Sequence, residues 1–406
     1  MTKKTMRVGA LGAAALLGTS LLTPAFAGSA GGCDACALEA RVATLEAQMA
    51  QAKRGGVDVP ADLTLKFGGY VKADFIYDVN HAGGGNQFGA GLFQQADEGG
   101  FQFHAQQTRF NFTATKDTAL GPIKAFFEVD FFGSPGNQAI SNSNNPRMRH
   151  AFVEWNGWLA GQTWTLFMPL AESPGTVDFG GPVGTPFIRQ AGLRYTGKSG
   201  NLTYSLAVEN PEIIGDGSNV DTNERYPDFL AMIRWAQGSY SFRVAGVLRD
   251  IKNRNAGGGG SETGYGVNVG ASAGLWEGGK WVGNFTWGKG LGRYVVDGTF
   301  VSPDIVAGNA QDIEQWGFAT GISQQLTDVI RGQLAYGYHK IEDNLGQTAL
   351  GGGPGLKELQ SAFATLWWTP VERYSVAFEA SWFEAERFGG GDREALRLQT
   401  AVQFNF

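Results

Sequence analysis

The chain has 406 residues, a formal charge of −6, 43% hydrophobic and 17% charged residues, and 61 glycines beside 14 prolines and two cysteines. Glycine at about twice its usual share, with no Gly-X-Y period, excludes collagen. Aromatic residues at 12% argue against disorder, and past residue 27 no apolar run reaches the ~20 residues of a membrane helix.

Residues 1–27 read as an export signal. Lys3, Lys4 and Arg7 precede an apolar stretch from Val8 to Leu22, and Ala25-Phe26-Ala27 supplies a small-x-small cleavage site. Cleavage leaves 29 basic against 38 acidic residues, a charge of −9 that argues against nucleic acid as a partner. Export also exposes Cys33 and Cys36 to an oxidising compartment. That CxxC fits a redox motif, half a zinc site or a disulfide; with no second CxxC and no thioredoxin-like context, the disulfide is favoured.

Between 28 and 59, Leu38, Val42, Leu45, Met49 and Ala52 form an a/d seam, with Glu39, Arg41, Glu46 and Lys53 off it. Two heptads are too short to stand alone in water, so a short coiled-coil helix and self-association are expected.

From about residue 60 the period becomes two. Leu65, Phe67, Val71, Ala73, Phe75 and Tyr77 alternate with Lys66, Tyr70, Lys72, Asp74 and Asp78, and the last segment sets Leu396, Leu398, Val402 and Phe404 against Arg397, Gln399 and Gln403. About 16 such strands follow one another to residue 406. Short links at Asn156-Gly157, Gly197–Gly200, Gln237-Gly238 and Thr369-Pro370 alternate with long ones near 79–102, 133–146, 166–188, 210–225, 251–261, 290–311, 341–356 and 385–393. An even strand number with short turns on one side and long loops on the other predicts a 16-stranded antiparallel outer-membrane β-barrel over 60–406. The alternative, a soluble sandwich or β-helix, gives no reason for Trp155, Trp158, Trp367 and Trp368 beside turns, which suit interface girdles, or for the terminal Phe406.

Glycines divide among loops, turns and strand interiors such as Gly266, Gly270, Gly317 and Gly337, where curvature or close packing removes a side chain. No phosphate-binding loop, HExxH or nucleophile elbow is present, and His81, His104, His150 and His339 are scattered, so no enzyme, cofactor or metal site is expected. Glu128 and Asp130 read as lining of an aqueous interior. Arg109, Arg194, Arg243, Arg249, Arg331 and Arg397 fall on polar faces, and Arg147 and Arg149 share one face. Cations lining a narrow aqueous path favour anions; alternatively each neutralises a lumen carboxylate. The 166–188 connection holds Phe167, Met168, Leu170, Val177 and Phe179, which predicts that it folds inward as a constriction loop and brings Glu172 and Asp178 opposite the arginines.

The runs Arg147-Met-Arg-His-Ala-Phe-Val-Glu-Trp155, Leu159-Ala-Gly-Gln-Thr-Trp164, Val177-Asp-Phe-Gly-Gly-Pro182, Ile188-Arg-Gln190 and Gly69-Tyr-Val-Lys-Ala-Asp74 resemble the DcaP-like outer-membrane porins of Gram-negative bacteria. The resemblance implies a 16-stranded homotrimer in outer-membrane lipid and lipopolysaccharide, with an N-terminal periplasmic helix. It further implies uptake of small anions, dicarboxylates in particular, past Arg109, Arg147, Arg149, Arg189 and Arg194. The competing expectations are a non-selective diffusion porin, an envelope-tethering barrel, and a barrel enzyme such as a lipid hydrolase.

Overall fold

The computed structural model describes residues 41–44, 46, 60, 62–81, 97–214, 225–253, 259–297, 300–342, 355–388 and 390–406. The chain divides into a unit Met1–Pro60 and a unit Ala61–Phe406. In the first, residues 41–44 and 46 are helical and exposed. The signal segment 1–27, Cys33, Cys36 and the rest of the heptad seam lie outside the described residues.

The second unit is a closed sheet of 16 antiparallel strands. These are β1 Leu63–Asp78, β2 in two pieces (Gly100–His104 and Arg109–Lys116), β3 Ile123–Asp130, β4 Arg147–Trp155, β5 Trp158–Trp164, β6 Arg189–Ser199, β7 Leu202–Glu209 and β8 Asp228–Gln237. They continue as β9 Tyr240–Ile251, β10 Glu262–Trp276, β11 Gly279–Lys289, β12 Glu314–Thr327, β13 Ile330–Ile341, β14 Leu356–Val371, β15 Tyr374–Arg387 and β16 Arg393–Asn405. Each strand pairs with its neighbours in sequence, and β1 closes the ring on β16 from Tyr70↔Asn405 to Asp78↔Arg397. Closure leaves no open edge, which a bilayer requires because its core offers no water to unpaired backbone groups.

Alternation then separates the faces. Phe67 is 77% exposed and Phe101 76%, whereas Lys72, Asp74 and Arg397 are at most 4% exposed. Apolar outside and charged inside is the inverse of a soluble protein and suits lipid around an aqueous interior.

Two features break simple parity. In β4 a register shift opposite Glu128 and Val129 inserts Arg149, so Arg149 and the neighbouring His150 both point inward. Such a bulge re-aims a side chain. Trp367 and Trp368 cannot share a girdle, because successive side chains take opposite faces. Trp368 is exposed, but Trp367 points inward, packed with Val177 and Ala377 and lying 4.1 Å beneath Arg331. The turn expected at Thr369-Pro370 falls later, at Glu372-Arg373, and Pro370 sits instead in an irregularity of β14 where no ladder bond is needed.

The interior is partly filled by two connections. One runs from β5 to β6 and the other from β11 to β12. They join at a bridge between Pro186 and Val295. Leu166 and Phe167 of the first and Leu291, Tyr294 and Val295 of the second pack on Ala207, Leu230, Ala245 and Val247. Val183 and Ile313 pack on Leu359, Phe363 and Phe383. Residues 290–311, which contribute most of the second connection, read in the sequence as an ordinary long loop.

Candidate functional site

The strand glycines seat these connections. A Cβ at Gly337 would meet the Val183 carbonyl at 2.5 Å, one at Gly317 the Gly184 Cα at 2.7 Å, and one at Gly270 the Glu172 Cβ at 2.8 Å. Polar contacts then fix the 166–188 segment along its length. Glu172 accepts from Arg234 at 2.9 Å and Ser241 at 2.8 Å. Glu379 accepts from the Val177 and Asp178 amides at 2.8 and 2.9 Å, and Arg397 joins Asp178 (3.0 Å) to Asp78 (2.7 Å). Asp178 thus meets Arg397, one of the arginines it was expected to face, whereas Glu172 meets Arg234. Each takes a cation on another part of the wall, since a buried carboxylate must be paired.

The second connection is held just as closely. Arg249 grips Asp304 at 2.8 and 3.1 Å and Asp228 at 3.5 Å. Asp297 accepts from Gly184 at 3.0 Å and lies 2.5 Å from His339. Tyr294 is fully buried and donates to Asp228 at 2.9 Å. Burial, followed by the Asp228 charge, pushes its phenol well above the usual range, so it remains a donor.

On the opposite side, between the 166–188 segment and β2–β5, a cavity of about 600 Å3 remains. Arg109, Glu128, Arg149, His150 and Asp178 line it. Larger concavities of about 1060 and 710 Å3 lie among the lipid-facing side chains of the outer wall, where a bilayer fills them.

The arginines fall into three groups. Arg109, Arg147, Arg149 and Arg189 form one cluster. Arg147 makes two bonds to Asp130, at 3.0 and 2.8 Å; Arg149, 2% exposed, bonds Glu128 at 2.7 Å and Asp130 at 2.8 Å; Arg109 stands 4.0 Å from Glu128. Arg189 lies 4.4 Å over the Trp164 ring, and its Nη1 is buried with no hydrogen-bond partner among the described residues. Arg194 and Arg243 instead tie the wall to the inward segment: Arg194 donates to the Trp164 carbonyl at 2.6 Å and approaches Glu209 at 3.6 Å, and Arg243 binds Asn268 and the Leu166 carbonyl. Arg249 and Arg397 are the structural clamps described above, and Arg331 stacks on Trp367. Four arginines around two carboxylates leave the first cluster with two positive charges in excess.

Sequence reasoning missed the rings beside this cluster: Phe126, Phe152, Trp164 and Phe187 join Phe179 along the cavity. Phe126 was detectable, since it follows Lys124 and precedes Glu128 on the polar parity of β3. Among the described residues no group of His, Cys, Asp and Glu is placed to hold a metal ion.

Solved structures share this architecture. The outer membrane channel DcaP of Acinetobacter baumannii superposes with a TM-score of 0.74 at 20% identity, over 86% of this chain and 99% of that one. An anion-selective porin from Comamonas acidovorans gives 0.55 at 14%, over 85% and 100%. The trimer form of OmpT from Vibrio cholerae gives 0.53 at 10%, over 85% and 99%. At such identities the likeness is one of fold. No curated protein matches the chain. A model of the DcaP outer membrane protein family matches residues 43–406, and the chain belongs to that family of outer-membrane β-barrels.

Proposed function

We propose that the protein is a passive channel for small anionic solutes, dicarboxylates among them, assembled as a homotrimer with residues 28–59 in the periplasm. The observation that carries this reading is the cluster of four arginines, of which Arg109 and Arg149 line the cavity and Arg147 and Arg189 stand behind them; Glu128 and Asp130 offset two of the charges, and Arg189 has no carboxylate partner among the described residues. An anion entering such a constriction exchanges water for guanidinium donors, while a cation meets a repulsive potential focused by the low-dielectric wall. The adjoining wall has the opposite sign: Lys72 of β1 and Arg397 of β16 stand among Asp74, Asp78, Asp178 and Glu379. Selectivity is thus set locally and against the −9 of the mature chain.

The anion-selective Comamonas neighbour agrees with this reading. The trimer form among the neighbours and the heptad seam support assembly into trimers. A non-selective diffusion porin is the second reading, favoured by the pairing of Arg147 and Arg149 with carboxylates. Reversal potentials in planar bilayers under a potassium chloride gradient separate the two. Chloride preference is expected; equal permeability supports the second reading, and cation preference overturns the first.

A further inference from the structure

The interior of a simple diffusion channel has no use for aromatic rings facing water, yet here a continuous run of them lines the interior cavity. From Phe179 through Phe187, Trp164, His150 and Phe126 to Phe152, successive ring centroids are 5.9, 5.0, 5.7, 6.1 and 5.4 Å apart. The run begins in the inward segment with Phe179 and Phe187, continues over Trp164 of β5 and His150 beside the β4 bulge, and ends on Phe126 and Phe152, which face each other across β3 and β4. All six rings line the same 600 Å3 cavity and none is fully shielded by its neighbours except His150.

Cations accompany the rings. Arg149 lies 5.7 Å from Phe179 and 5.8 Å from Trp164, Arg189 lies 4.4 Å over Trp164, and Lys124 lies 5.5 Å from Phe152. A guanidinium held flat on an indole presents its edge N–H groups to a carboxylate and its plane to a ring. A half-exposed aromatic surface beside it gains by covering itself with another planar apolar face.

We infer that this strip is a sliding site for planar aromatic carboxylates: the carboxylate passes from one cation to the next while the ring stays on the aromatic run. The inference rests on the proposed anion channel and narrows its solute class. Neutral sugars also stack on rings, but their hydroxyls need free acceptors, and Glu128 and Asp130 are already taken by Arg147 and Arg149.

The test compares benzoate with cyclohexanecarboxylate, which has similar size and the same charge but no planar ring. Each is titrated against single-channel chloride current in planar bilayers. Benzoate is expected to block at a concentration about fivefold or more below that of cyclohexanecarboxylate, with Trp164→Leu and Phe187→Leu collapsing the difference. Trp368→Leu, on the outer face, serves as control and should retain it. Equal block by both acids in a channel that prefers chloride overturns the aromatic site alone. Stronger block by maltose than by benzoate overturns it in favour of sugars. Absence of chloride preference overturns the anion channel on which it rests.

Discussion

The two halves of the inner wall do different work with different residues. Along β2–β6 the wall carries Arg109, Arg149, Phe126, Phe152 and Trp164, large side chains that border the cavity, with Arg147 and Arg189 packed behind them. Along β10–β13 it carries Gly270, Gly317 and Gly337, where the Glu172 side chain and the backbone of Gly184 and Val183 in the inward segment lie too close for a side chain. The contrast explains where the passage lies: small residues draw the inward segment onto one half, and the space left over runs along the other.

Several substitutions would break this division. The largest effect is expected from filling the seat. Gly337→Val puts a side chain where the Val183 backbone lies 2.5 Å away, and together with Gly317→Val it should dislodge the inward segment and change single-channel conductance severalfold. Unchanged conductance would mean that the glycines serve curvature alone. Next comes Arg397→Met, which strands Asp78 and Asp178 in a buried site and should remove about 3–5 kcal/mol, seen as a lower urea midpoint for barrel unfolding.

A smaller and more diagnostic effect separates Arg189→Gln from Arg243→Gln. The first removes a charge beside the cavity and should shift the reversal potential toward cations; the second loosens the Leu166 tether and should alter conductance more than selectivity. The reverse ranking would exchange the roles of the two walls. Smallest is Tyr294→Phe, which deletes one hydrogen bond to Asp228 worth about 1 kcal/mol. Because burial raises the phenol, the proton stays on the oxygen through mildly alkaline pH, so the bond from Tyr294 to Asp228 should persist there.

Much of this was legible in the sequence, for physical reasons. Strand parity is a local property, and Phe67, Lys72, Phe75 and Asp78 show it before any pairing is known. Apolar residues in 166–188 likewise announce a segment that must bury itself. What stayed hidden depends on contacts between distant positions. The inward turn of both Arg149 and His150, and of Trp367, could be placed only once register was known, since one extra residue or one neighbouring tryptophan changes the face. Leu291, Tyr294 and Val295 carried the same apolar signal as Phe167, but its meaning required Asp228, Arg249 and Val247 from other strands. The pairing of Arg147 with Asp130 and of Glu172 with Arg234 is also a matter of register and loop path, which composition does not encode.

The division of the wall can be read directly by thiol chemistry. In a Cys33→Ser, Cys36→Ser background, single cysteines replace Arg109 and Arg189 beside the cavity, and Ser361 beneath the inward segment, where it is fully buried and accepts from the Val183 amide. A negatively charged methanethiosulfonate is added while single-channel current is recorded. Stepwise loss of current in Arg109→Cys and Arg189→Cys, with Ser361→Cys silent, is the predicted result. Rapid block through Ser361→Cys with Arg189→Cys unaffected would contradict it.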